Sequence, residues 1–187
     1  MKIKIPNYLT IGRIIIVPIF VFSFYLPGFY GDIIPFALFV VASFTDFLDG
    51  LLARMFKEES KLGELLDPIA DKIFTCTVLI TFISDARANS IIVAIIIIRE
   101  IIVSGLREAL ANYNRANSLA VTFLCEIKTT FQFLTIFILA LVPLNIAFSN
   151  KIYNFGSIFL YITAILTVYT GYKYVINSII EFNKIKR

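Results

Sequence analysis

The chain has 187 residues, 59% of them hydrophobic, with a formal net charge of +4 and no histidine. That length is one domain's worth, and a mean hydropathy of +0.87 excludes an ordinary soluble core in favour of a polytopic membrane protein. The missing histidine excludes imidazole acid–base catalysis and a histidine-ligated metal. The basic residues sit at the ends of apolar runs, so they read as topology signals and not as a nucleic-acid surface.

Six stretches predict membrane spans of about 20 residues, the length that crosses about 30 Å of hydrocarbon. They are residues 8–27, 33–54, 65–83, 90–110, 128–148 and 155–180. The predicted fold class is therefore all-α: one membrane domain over residues 1–187, with six transmembrane helices. Lys2 and Lys4 before the first run resemble a signal peptide. Arg13, Pro18 and the lack of a small-x-small cleavage site argue for a retained span instead. Pro6 and Asn7 suit its start. Asn7, Thr10 and Arg13, three apart, make a polar strip, read either as a cap with a snorkelling arginine or as one wall of a site.

The second and third spans meet at the most polar stretch of the chain. Asp46, Asp49, Gly50, Ala53 and Arg54 share one helical face at about 100° per residue. Gly63, Asp67 and Asp71, each four apart, share a face of the next helix, and a short link over residues 54–61 would let the faces meet. Carboxylates aimed at one spot repel, and one or two divalent cations would relieve that cost. Oxygen-only ligands favour Mg²⁺ or Mn²⁺ over Zn²⁺. The bland reading is two amphipathic helix ends carrying acids at a membrane surface.

The fourth span drives Ile95 to Ile98 straight into Arg99 and Glu100, followed by Ser104, Arg107 and Glu108. An ionisable residue inside a span costs about 2.5–3.5 kcal/mol even on the lenient insertion scale. Two readings stay open: internal pairing of Arg107 or Arg99 with Glu100, or a basic pocket for an anion. Lys128-Thr129-Thr130 opens the fifth span, which Pro143 should kink or end. Tyr169, Tyr172, Lys173 and Tyr174 in the sixth read as an aromatic belt with a snorkelling lysine. Cys76 and Cys125 lie in or beside apolar runs and read as packing residues.

An even number of spans puts both termini on one side of the membrane. That side collects Lys2, Lys4, Arg54, Lys57, Lys61, Arg115, Lys128, Lys184, Lys186 and Arg187, against Arg87 and Lys151 opposite. The excess of basic residues predicts that both termini and the Asp46–Asp71 stretch face the cytoplasm.

The polar stretch reads D-x2-D-G-x2-A-R-x8-G-x3-D-x3-D without departure, and it resembles the CDP-alcohol phosphotransferases, membrane enzymes of phospholipid synthesis. The polar strip of the first span, the run from Arg99 to Glu108, and Lys128-Thr129-Thr130 resemble the phosphatidylglycerophosphate synthase branch of that family. The likeness to that branch covers residues 6–132 or so. It implies transfer of a phosphatidyl group from CDP-diacylglycerol to sn-glycerol 3-phosphate, with release of CMP, at a bacterial cytoplasmic membrane. It implies Asp46, Asp49, Asp67 and Asp71 as metal ligands, with Asp71 also general base. Gly50, Ala53, Arg54 and Gly63 would bind CDP-diacylglycerol, and a homodimer is the implied assembly.

Glycerol 3-phosphate calls for fixed cations, and arginine's planar fork suits phosphate. Arg99 and Arg107, then Lys128 and Arg13, are the predicted acceptor-phosphate residues. Serine, inositol phosphate or phosphatidylglycerol are the rival acceptors within the class. Outside it, a divalent-metal transporter would want acids near mid-membrane or in repeats. An inactive structural protein would leave the four aspartates unexplained.

Overall fold

The computed structural model describes residues 5–56, 61–111, 113, 123–144 and 147–185, with side chains described over 12–45, 69–111, 113, 124–144 and 147–184. The side chains of Asp46, Asp49, Gly50, Ala53, Arg54, Gly63 and Asp67 lie outside that set. So do Asn7 and Thr10 of the N-terminal polar strip. Six α-helices follow one another among the described residues: α1 (Ile5–Ser23), α2 (Phe29–Phe56), α3 (Lys61–Ser84), α4 (Ser90–Ala111), α5 (Phe123–Ala140) and α6 (Ser149–Ile185).

Local chemistry sets the breaks. The amides of Phe24, Tyr25 and Leu26 bond back three residues, to Val21, Phe22 and Ser23, which tightens the end of α1 into a 3-10 turn. Gly28 then takes a φ of 61°, a left-handed conformation that costs glycine little. Gly31 follows because a Cβ there would run into the Leu26 carbonyl. At the other end of the chain, α5 stops at Ala140 and the backbone tightens into a 3-10 segment, Val142–Leu144. Pro143 explains it: the ring has no N–H to donate and clashes with the carbonyl four residues back. Asn89 caps α4, its side-chain oxygen accepting from the amides of Ile91 and Ile92 at 3.0 and 3.3 Å.

The chain divides into two compact units, Met1–Thr81 with Pro143–Ala147, and Phe82–Val142 with Phe148–Arg187. In the first unit α1 packs on α2. Phe74 of α3 meets Phe20 of α1 edge-on at 5.7 Å and stacks on Phe39 of α2 at 6.2 Å. One aromatic side chain thus ties three helices together. In the second unit α6 packs against both α4 and α5. Gly156 lets α5 approach closely, since a Cβ there would sit 2.6 Å from Leu139 Cδ2.

α6 buries hydroxyl side chains and exposes large apolar ones. Thr163, Thr167, Thr170 and Ser178 are buried, while Ile165 is 69% and Tyr172 66% exposed. Thr163 and Thr135 of α5 share a hydrogen bond of 2.9 Å across the interface. Small and hydroxyl residues inward with branched apolar ones outward is the pattern of a helix facing lipid. Among the described residues, Leu124–Leu144 and Ser149–Lys184 are long and apolar enough to cross a membrane unaided. The parts of α1 and α2 whose side chains are described, Gly12–Ser23 and Phe29–Thr45, are apolar as well. The chain is all-α and membrane-integral. Its last helix, at 37 residues, spans about 55 Å and overruns the predicted span at both ends.

Candidate functional site

The helical backbone of α2 runs unbroken through Asp46, Asp49, Gly50, Ala53 and Arg54, and that of α3 through Gly63, Asp67 and Asp71. The residues predicted to act together therefore occupy the last turns of one helix and the first turns of the next. The 3.6-residue period on which their grouping rests is present in both.

Asp71 is the aspartate of the motif whose side chain is described. Its carboxylate is half exposed, and Oδ1 accepts a charge-assisted hydrogen bond from Nη1 of Arg13 on α1. Arg13 itself is buried. A guanidinium in that position is costly without an anion, and Asp71 supplies one. Of the four cations predicted to meet the acceptor, Arg13 is, among the described side chains, the one that pairs with an aspartate of the motif.

The other three lie in the second unit. Glu100 of α4 is the hub. Its Oε1 accepts from Nζ of Lys128 on α5 and from Nη1 of Arg99 at 3.2 Å. The side chains of Lys128, Arg99 and Glu100 are 4, 12 and 15% exposed, so all three charges are largely out of water. Among the described residues, the ion pairs of this group bring two cations to one carboxylate. Arg99 also reaches α6, with Nη2 donating to Thr170 Oγ1 at 3.0 Å. Of the two readings open from sequence alone, the structure shows internal pairing of Arg99 with Glu100, to which Lys128 is added.

Arg107 behaves differently. It is exposed, and its Nε lies 3.4 Å from the hydroxyl of Tyr174. Its guanidinium carbon stands 5.9 Å from that ring's centroid. Among the described residues no carboxylate pairs with it. Tyr174 is 9% exposed and so leaves the aromatic belt. Tyr169 and Tyr172 are exposed, and Lys173 lies 4.7 Å over the Tyr169 ring. Sequence reasoning missed Thr170 and Tyr174 as partners of the two arginines. A threonine and a tyrosine in an apolar helix carry no charge signal, and only the packing of α6 on α4 brings them there.

The sequence matches the family model described as CDP-alcohol phosphatidyltransferase over residues 3–169. A protein of Rickettsia bellii is 41% identical over 178 residues, covering 93% of this chain and 96% of the relative. One from Haemophilus influenzae is 39% identical over 176 residues, covering 93% and 92%. One from Sodalis glossinidius is 36% identical over 176 residues, covering 93% and 94%. All three are named CDP-diacylglycerol–glycerol-3-phosphate 3-phosphatidyltransferase.

Proposed function

The chain belongs to the CDP-alcohol phosphatidyltransferase family, and from that premise we propose that it transfers the phosphatidyl group of CDP-diacylglycerol to sn-glycerol 3-phosphate. The products are phosphatidylglycerol phosphate and CMP. One observation carries the reading: relatives matched over more than nine-tenths of both chains bear the name of that one reaction. The cationic group of the second unit supports the acceptor, because serine would not call for phosphate-binding arginines.

The reaction needs no covalent enzyme intermediate. The acceptor's free primary hydroxyl attacks the phosphorus that carries diacylglycerol. The bond from that phosphorus to the bridging oxygen breaks, and CMP leaves with the electron pair. Asp71 would take the hydroxyl proton, with Arg13 fixing its carboxylate. Asp46, Asp49, Asp67 and Asp71 would hold divalent metal, for which their oxygen-only donor set and the half-exposed Asp71 carboxylate are suited. We assign Mg²⁺ or Mn²⁺, two ions. Bound there, the metal would neutralise the diphosphate and polarise its phosphorus. Gly50, Ala53 and Gly63 would leave room for the cytidine diphosphate, and Arg54 would meet its charge. Arg99, Arg107 and Lys128 would hold the acceptor phosphate, with Arg13 serving the aspartate motif.

The direct test measures CMP release from CDP-diacylglycerol with glycerol 3-phosphate, serine, inositol phosphate and phosphatidylglycerol side by side. Turnover with glycerol 3-phosphate alone is expected. A preference for any other acceptor refutes the assignment, and release with none of them favours the transporter.

The same reading puts six spans in a bacterial cytoplasmic membrane with both termini inside, in a homodimer that cross-linking in membranes would detect. With Cys76 and Cys125 replaced by serine, a cysteine at Lys184 should label only from the cytoplasmic side. Cysteines at Asn89 and Asn150 should label only from the other. The reverse pattern would overturn the orientation and, with it, access to cytosolic glycerol 3-phosphate.

A further inference from the structure

Arg99 and Glu100 are neighbours on α4, and adjacent helical residues point about 100° apart. Glu100 therefore cannot set the direction of the Arg99 guanidinium by itself. The second constraint comes from α6, 71 positions along the chain. Thr170 donates its hydroxyl proton to the Leu166 carbonyl at 2.8 Å. Its oxygen is thereby turned into an acceptor for Arg99 Nη2 at 3.0 Å. Next to it Gly171 is buried and provides the seat for the arginine stem. A Cβ there would stand 2.7 Å from Arg99 Cγ and 3.3 Å from Nε. Those atoms belong to the inner part of the side chain, so the arginine as a whole would have to move. Arg99 Nε is buried and has no hydrogen-bond partner among the described residues. With one donor on Glu100 and one on Thr170, the planar fork keeps N–H groups for a ligand.

We propose that Thr170 and Gly171 are positioning residues for the acceptor site: a notch on α6 that holds the Arg99 guanidinium in the direction from which it grips the acceptor's phosphate. This rests on the reading above, in which Arg99 meets glycerol 3-phosphate. The notch acts only through Arg99 and contributes to specificity for a phosphorylated acceptor. Small displacements of a positioned group carry large kinetic penalties.

The test uses the full-length protein in membranes or detergent. Thr170→Val keeps the shape and removes the acceptor oxygen. Gly171→Ala fills the seat. Both are expected to raise the KM for glycerol 3-phosphate by about tenfold, with the KM for CDP-diacylglycerol held and the thermal midpoint lowered by a few degrees at most. Thr170→Ser should restore the wild-type value. In an Arg99→Ala background Thr170→Val should add nothing, because the two act through one group. A lowered thermal midpoint with an unchanged acceptor KM would make Thr170 and Gly171 packing residues and overturn the proposal. The underlying reading fails separately: Arg99→Ala would then leave the glycerol 3-phosphate KM at its wild-type value. A raised KM for Arg99→Ala alone, with Thr170→Val and Gly171→Ala unaffected, would reject the notch and keep the arginine.

Discussion

Asp67→Ala is expected to lose CMP release by about 10³-fold or more while the protein still inserts and unfolds at a near wild-type temperature. A metal that offsets charge on a transferring phosphoryl group contributes several kcal/mol, and each 1.36 kcal/mol is tenfold in rate. Asp46→Ala and Asp49→Ala should behave alike, because each removes one oxygen donor from the same ion set. Asp71→Asn is the sharper variant. It keeps an acceptor oxygen for Arg13 but loses the ligand charge, the base and the anion that the buried guanidinium pairs with, so turnover should fall and the thermal midpoint should fall with it. Excess chelator should abolish wild-type activity, and Mg²⁺ or Mn²⁺ should restore it. Full activity in chelator, or near wild-type turnover of Asp67→Ala, would remove metal-assisted transfer from the account.

What could be read in advance follows from where the information lies. Hydropathy marks lipid contact, so it predicts the span within α6 but not a 37-residue helix. A helix continues past the hydrocarbon wherever its backbone bonds are satisfied, and Lys184 and Glu181 pair at 2.6 Å beyond the predicted end. Pro143 was legible because its effect is local and steric. The aspartate motif was legible because its spacing is periodic within each helix. The Arg13–Asp71 pair joins residues 58 apart, and no pattern along the chain announces it. The sequence marks Lys128 as a cation at the start of a span, but its pairing with Glu100 depends on how α5 meets α4. Thr170 was invisible for a further reason. In a lipid-facing helix the signal of burial is inverted, and the small polar residues, not the large apolar ones, mark the packed face.

The two arginines proposed to meet the acceptor differ in their surroundings, and kinetics should tell their duties apart. Arg107 is exposed, touches Tyr174, and has no carboxylate partner among the described residues. Arg107→Lys keeps the charge and removes the fork. It should therefore raise the glycerol 3-phosphate KM, hold the CDP-diacylglycerol KM and leave thermal stability unchanged. Losing one charge-assisted contact of about 1.5–3 kcal/mol corresponds to roughly a 10- to 150-fold drop in kcat/KM. Arg99 is held by Glu100 at 3.2 Å and Thr170 at 3.0 Å, so Arg99→Lys should lower both acceptor affinity and stability. Glu100→Gln supplies the control. It leaves Lys128 and Arg99 buried without their shared anion, and breaking such a group costs about 3–5 kcal/mol. The thermal midpoint should fall most in that variant, and glycerol 3-phosphate should recover part of it by binding the uncompensated cations. Arg107→Lys with an unchanged acceptor KM would strike Arg107 from the site. A Glu100→Gln protein that glycerol 3-phosphate does not stabilise would show that the cluster serves the fold and not the substrate.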